Sequence, residues 1–181
     1  QTTLTDQVFD AWRHDTHAGH DTIMLGPTRE LVSELNRRAR AHRRGEARPT
    51  DAVPLTDGEQ ASVGDTVITR ANNRRLRLTA TDWVKNGDRW LVTAVHPSGD
   101  LTVQHAAHGW AVRLPADYVR SFVTLGYAST IHTVQGVTAD TSHTLLTGEE
   151  SRQVAYTALT RGKSANHLYL EVVDAGDPPN L

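Results

Sequence analysis

The chain has 181 residues, 38% hydrophobic and 22% charged, with a formal net charge of −2 at pH 7, and this length and balance suit one good core or two small ones. It has no cysteine, which excludes disulfides and thiolate metal sites and leaves the redox compartment open. No apolar run approaches the roughly 20 residues that span a bilayer, and QTTLTDQVFDAW lacks both a signal-peptide pattern and an initiator Met, so we expect a cytoplasmic piece of a longer chain with no membrane segment.

The first elements carry α/β grammar. Leu4, Val8, Phe9 and Trp12 are spaced for a helix over residues 4–13. Ile23, Met24 and Leu25 predict a short buried strand, ended by Gly26-Pro27. Thr28 is placed to cap the helix RELVSELNRRARAHRR, with Leu31, Leu35 and Ala39 as an inner stripe and Arg37, Arg40 and Arg44 as a basic outer one. Helix, strand, helix reads as part of a parallel α/β layer.

Composition shifts after Arg48, where PTDAVPLTDGEQ reads as a linker. From Gly64 the pattern is that of strands. DTVITR, RWLVTAV and LTVQHA predict short β segments separated by NNRR, KNGD and PSGD, and Asn86-Gly87-Asp88 and Ser98-Gly99-Asp100 are hairpin-turn signals. WAVRLPADYV closes this block, which by strand spacing has the size of a small antiparallel SH3 or OB barrel. α/β grammar then returns. SFVTLG reads as a strand, YASTIHTVQG as a short helix and SHTLL as a strand. GEESRQVAYTALTRG reads as a helix opened by acids and closed by Gly162, and NHLYLEVV as a final strand. The expected architecture is an α/β layer over residues 1–60 and 120–181, interrupted by an antiparallel barrel over residues 61–119.

By itself the net charge argues against a nucleic-acid binder, but its distribution says more. Lys85 and Lys163 are the only lysines; the other cations are arginines, gathered at Arg37, Arg38, Arg40, Arg43, Arg44 and Arg48 and at Arg70, Arg74, Arg75 and Arg77. Arginine presents a planar fork suited to phosphate, though each cluster is equally consistent with a solvated surface. His14, His17 and His20 are spaced by three, as are His105 and His108, but no acid or thiol completes a metal set, and we expect no metal site. No nucleophile elbow accompanies the His, Ser and Asp of the C-terminal third.

LGYASTIHTVQG (125–136), followed at a short interval by YTALTRGK (156–163), resembles motifs V and VI of superfamily 1 helicases, and most closely their RecD-like branch. IMLGPTRELVSELN resembles the motif IV region, and the block with GDTVITRANN and WVKNGD resembles the SH3-like insertion of that branch. In detail the chain is similar to the helicase part of TraA/TrwC-type conjugative relaxases. The resemblance implies a RecA-like parallel sheet with flanking helices, interrupted by an SH3-like barrel. It implies the C-terminal half of an ATP-dependent single-stranded-DNA translocase.

The resemblance also assigns residues. Arg161 matches the motif VI arginine finger and Lys163 the basic residue after it. Gln135 and Gly136 match the motif V pair at the nucleotide edge. Thr138 stands where many members carry a ribose-contacting Glu, and Thr133 where most carry Lys. Arg29 follows the motif IV strand, within reach of a γ-phosphate. Thr130, His132 and Thr28 fall among the positions that face the DNA backbone. Arg70, Asn73, Arg74 and Arg75 would extend a basic path on a strand end and a loop, with Trp83 and Trp90 as stacking surfaces or as barrel core. No G-x-x-x-x-G-K-[ST] occurs. The resemblance places that loop in a preceding RecA-like domain, so ATP and Mg²⁺ belong to the full-length protein and none is expected on the fragment alone. Expected partners are single-stranded DNA, that missing domain and a relaxase domain. The alternative is a degenerate half that binds DNA or protein without catalysis.

Overall fold

The computed structural model describes residues 2–45 and 51–170; Arg48 and the part of the last strand expected beyond Leu170 lie outside the described residues. α1 spans Leu4–His17. It opens on a capping box in which Thr3 Oγ1 accepts from Asp6 N–H and the Asp6 carboxylate accepts from Thr3 N–H. Val8, Phe9 and Trp12 are its buried stripe. β1 spans Thr22–Gly26, buried at every position. α2 spans Arg29–Arg44 and is capped by Thr28, whose hydroxyl accepts from Leu31 N–H.

The middle of the chain is β-rich. β2 (Val53–Pro54) and β3 (Gln60–Ala61) form a small ladder. Then come β4 (Thr66–Thr69), β5 (Asn73–Arg77), β6 (Trp83–Val84), β7 (Arg89–Val95), β8 (Leu101–His105), β9 (Ala111–Leu114), α3 (Ala116–Phe122) and β10 (Val123–Leu125). β10-β4-β7-β8-β9 form one antiparallel sheet, and β5-β6 form a separate hairpin. The sequence NNRR is therefore not a separator: it opens β5. SFVTLG likewise differs from its reading as a strand of the α/β layer. Its first two residues end α3, and Val123–Leu125 pair with β4. Gly126 makes that pairing possible, because a Cβ there would lie 2.8 Å from the Val67 carbonyl carbon.

The chain then completes the parallel layer with β11 (Ala128–Thr130), a single 3₁₀ turn (Ile131–Thr133), β12 (Ala139–Leu146), α4 (Arg152–Leu159) and β13 (Gly162–Leu170). The order is β11-β1-β12-β13, all parallel. Neighbouring residues of β1 face opposite ways. Met24 packs with Val8, Trp12 and Leu35, while Ile23 and Leu25 pack with Ile131, Val137 and Ala158. So α1 and α2 cover one face and α4 the other, an α/β layer with flanking helices as the sequence predicts.

Two local expectations are corrected. YASTIHTVQG is not a helix beyond one 3₁₀ turn. The hydroxyls of Ser129, Thr130 and Thr133 bond one another and the local backbone instead, and Gly136 turns the chain at φ 84°. α4 begins at its cap Ser151, not at the acids: the Glu150 carboxylate closes the preceding turn by accepting from Thr147 and Gly148 N–H. Gly162 opens β13 and does not close the helix.

Buried ions tie the antiparallel unit to the parallel layer. Asp65, inaccessible to solvent, accepts from Ser62 N–H, Tyr127 OH, Arg40 Nε and Arg43 Nη2 at 2.7–2.9 Å. Burial opposes its ionisation, but these donors outweigh it and hold the carboxyl below the usual carboxylate range. Arg89, also buried, pairs with Asp21 and donates to the carbonyls of Thr22 and Gly126. Among the described residues no helix is long and apolar enough to cross a membrane.

Candidate nucleic-acid interface

β1 and β11 end together, with Gly26 paired to Thr130. In parallel sheets the carboxyl ends of the strands are where ligands gather. Here a cavity of about 790 Å³ opens between the first half of α2, the 3₁₀ turn and the antiparallel unit. Arg29, Arg70, Thr130, His132 and Gln135 all line it, so the fold brings together three stretches that lie far apart in sequence. Thr28 caps the same end of α2, where free N–H groups and the helix dipole favour an anion.

Each wall has a local cause. β11 is an edge strand. Asn36, buried on α2, clamps it through two hydrogen bonds to Ala128, Oδ1 accepting from N–H at 2.8 Å and Nδ2 donating to C=O at 3.2 Å. Our reading of the sequence missed Asn36; its signal is a polar residue set between Leu35 and Ala39 on the inner stripe. Thr130 caps the 3₁₀ turn through Thr133 N–H, leaving His132 exposed. Ile131, Val134 and Val137 anchor the segment, while His132, Gln135, Gly136 and Thr138 face solvent. The hairpin turn at Gly87 packs on Gly136, so close that a Cβ at residue 87 would lie 3.1 Å from the Gly136 carbonyl carbon.

Arg70 serves differently from a free cation. Its guanidinium donates to Thr124 Oγ1 at 3.1 Å, Thr133 O at 2.9 Å and Ser129 Oγ at 3.1 Å. Burial lowers its pKa against the pull of Asp57, itself raised by burial. Arg70 thus holds the 3₁₀ turn against the antiparallel unit and lends the groove positive potential more than free donors.

Three of the residues assigned to nucleotide lie elsewhere. Ala139 pairs with Gly162 at the amino ends of β12 and β13, the sheet edge opposite Thr130. Thr138, Arg161 and Lys163 sit at that edge. Arg161 Nε donates to Thr157 O at 3.0 Å, Nη2 to Thr160 Oγ1 at 2.8 Å and Nη1 to Val137 O at 3.4 Å, so the guanidinium lies over the end of α4. Lys163 is exposed. Arg29 and Gln135, assigned to nucleotide, lie instead with the DNA set in the groove.

On the hairpin, Arg74 and Arg75 are exposed and Asn73 Oδ1 accepts from Arg75 N–H. Trp83 lies under Arg74 at 5.0 Å and Lys85 at 5.5 Å. Trp90 is core, fully buried, its Nε1 donating to Thr69 Oγ1. Among the described residues, no three His, Asp or Glu side chains converge as a metal set.

No family model matches the sequence. Two curated relatives, the uncharacterized proteins MT2373 and Rv2311 from two Mycobacterium tuberculosis strains, are each 36% identical over 104 residues. The match covers 57% of this chain and 60% of each relative, so the chain spans about three fifths of their length. Solved structures resemble it more widely. Pif1 helicase from Bacteroides in complex with ADP-AlF3 and ssDNA aligns over 95% of this chain and 50% of its own, at TM-score 0.57 and 17% identity. Bacteroides Pif1 bound to ssDNA aligns over 81% and 40%, at TM-score 0.55 and 20% identity. Pif1 helicase from Candida albicans aligns over 94% and 52%, at TM-score 0.54 and 16% identity. At such identities the likeness is one of fold, and the chain shares the RecA-like α/β architecture of these Pif1 helicases.

Proposed function

We propose that this chain is the DNA-gripping, arginine-presenting half of an ATP-dependent single-stranded-DNA translocase. The observation that carries the reading is the groove at the carboxyl ends of β1 and β11. It offers hydroxyls, helix-terminal N–H groups and Arg29 to a phosphate backbone, contacts that carry no sequence information, as a sequence-indifferent motor requires. The fold shared with Pif1 helicases crystallised with ssDNA and with ADP-AlF3 supports it.

The opposite edge of the sheet fits the nucleotide's role. Thr138, Arg161 and Lys163 stand there, with exposed Gly136 leading into it. The phosphate loop is absent from this sequence, so a preceding RecA-like domain of the same polypeptide supplies it and the Mg²⁺ site. Arg161 then acts as a finger toward the γ-phosphate, once freed from the end of α4. Within this reading the antiparallel unit is the SH3-like insertion of the RecD-like branch, and conjugative transfer in the cytoplasm, beside a relaxase domain, is the biological setting.

A second reading rests on Thr133 and Thr138, which replace a usual Lys and Glu. Thr133 Oγ1 is bonded to Thr130 and Ser129 and offers no charge. In that reading the chain binds DNA without catalysis.

The deciding experiment is the DNA-stimulated ATPase of the full-length polypeptide, wild type against Arg161→Ala. The motor reading expects turnover to fall by about 10³ to 10⁵ with ATP and DNA binding retained. An unchanged rate reduces Arg161 to a helix-end cation. A wild type that binds DNA but has no ATPase activity selects the binding module.

A further inference from the structure

A ladder of four rings runs from β7 through the turn between β8 and β9. Trp90, in the core, meets His105 edge-on at 4.9 Å. His105 stacks on His108 at 4.5 Å, with 19° between planes. His108 lies over Trp110 at 5.1 Å and 33°. The ladder thus runs from full burial at Trp90 to 44% exposure at Trp110.

The turn that presents these rings is held by its own hydrogen bonds. His105 N–H donates to Trp110 O, Gly109 N–H to His105 O, and Gln104 Nε2 to Gly109 O. His105 Nδ1 accepts from both Ala107 and His108 N–H. That imidazole therefore carries its proton on Nε2, which faces Asp88 Oδ1 at 3.5 Å. The rings are pre-organised, which lowers the entropic cost of binding on them.

Cations stand beside the ladder. β5 packs on β9, the strand that begins directly after Trp110. The β5-β6 hairpin shows Arg74, Arg75, Arg77 and Lys85 to solvent. Its acid, Asp82, pairs with Lys85 at 2.6 Å and is within electrostatic reach of His108. At its other end, Lys85 leads into Asn86, which lines the groove. Groove, hairpin and ladder thus follow one another on adjoining elements, with Arg29, Arg74, Arg75 and Arg77 as cations, Asp57 and Asp82 as acids, and the rings at the far end.

An exposed tryptophan alone is ordinary, and so is a cationic hairpin. Their conjunction on adjoining elements with a phosphate-suited groove is the arrangement that single-stranded nucleic acid uses: cations track the backbone while bases stack on open rings. We propose that a DNA strand leaving the groove crosses the β5-β6 hairpin and stacks a base on Trp110, with His108 behind it. This rests on the DNA-binding reading of the groove.

The test is fluorescence anisotropy with labelled oligo(dT) from about 4 to about 16 nucleotides, the range of site sizes in small single-strand-binding folds. Protein, Trp110→Ala and Trp110→Phe are compared at low salt, with melting curves to check folding. Short oligonucleotides should bind protein and variants alike. Those long enough to reach the ladder should bind Trp110→Ala about tenfold or more weakly, the loss expected for one stacked base, and Trp110→Phe should recover most of it. Equal affinity of protein and Trp110→Ala at every length overturns the ladder while leaving the groove intact. An equal loss at every length overturns the extended path. No binding of any oligonucleotide removes the groove reading and this inference together.

Discussion

In α2, Arg40 and Arg43 converge on one carboxylate, that of Asp65, which no solvent reaches. In β5, Arg74 and Arg75 stand in solvent, and no acid pairs with them among the described residues. The two stretches, NRRARAHRR and NNRRLR, look alike as text. The first is largely structural, joining α2 to the antiparallel unit; the second leaves its charge in solvent. A count of arginines does not separate them. What separates them is the position of acids in the fold: Asp6 and Glu34 take Arg38, and Asp65, 22 to 25 residues away in sequence, takes Arg40 and Arg43.

The largest effect should come from removing Asp65. Asp65→Ala strips Arg40 Nε, Arg43 Nη2 and Tyr127 OH of the buried carboxylate they share. Breaking a buried ion pair from one side costs about 3–5 kcal/mol. Chemical denaturation should therefore show a loss of that order, with the midpoint falling at a similar slope. A loss below about 1 kcal/mol, the size of an exposed pair, would erase the distinction between the two stretches.

Much of this was legible in the sequence, unevenly. α2 is found residue for residue because Thr28 caps it and its apolar spacing runs unbroken to Ala39. β1 and β7 were legible for a similar reason, being short runs of large apolar residues bounded by turn signals. β10 was not: three residues carry too little period to reveal that they pair with β4 and not with β1. The 3₁₀ turn was misread as a helix because apolar spacing at Ile131, Val134 and Val137 mimics one, while the hydroxyls that end it act through hydrogen bonds that spacing does not show. Of the site, Thr130 and His132 were named for DNA from the motifs and Arg29 and Gln135 for nucleotide, while Asn36 was missed. Their separation from Arg161 across the sheet, and the engagement of Arg70, depend on register and burial and have no linear signature.

Another acid sharpens the comparison, because its partner is a titrating base. Asp15 on α1 accepts from Thr141 Oγ1 and pairs with buried His143 on β12 at 2.8 Å. His143 also meets Tyr169 OH at 3.0 Å and stacks on His167, both on β13. Burial holds the His143 pKa below the ordinary histidine value, with His167 adding to it and Asp15 opposing. The unfolded chain takes up this proton near pH 6.5 and the native state resists it. The stability contribution is thus complete above about pH 6.5 and declines as the pH falls through that value toward the native pKa. Asp15, with its own pKa lowered, titrates far below this window. The melting temperature of the protein should fall between about pH 7.5 and pH 5.5 more steeply than that of His143→Gln. Parallel curves would mean that His143 takes up its proton in place and the seam behaves like an exposed pair.

The smallest effect on stability belongs to the free cations, and it tests the comparison from its other side. Arg75 is exposed on a short hairpin, and its guanidinium makes no side-chain bond among the described residues. Arg75→Ala should leave the unfolding free energy within about 0.5 kcal/mol of the parent value. If the hairpin lies along a DNA backbone, the same substitution removes one phosphate contact. The slope of log affinity against log salt for oligo(dT) should then become shallower by about 0.7, equally for every base composition. A residue that matters to folding moves the first measurement, and one that matters to DNA moves the second. Arg43→Ala should do the reverse, because its guanidinium already has Asp65 and Tyr127 as partners. If Arg75 and Arg43 shift the salt slope alike, the groove and hairpin are not a directed track, and any positive surface of this chain would hold DNA equally well.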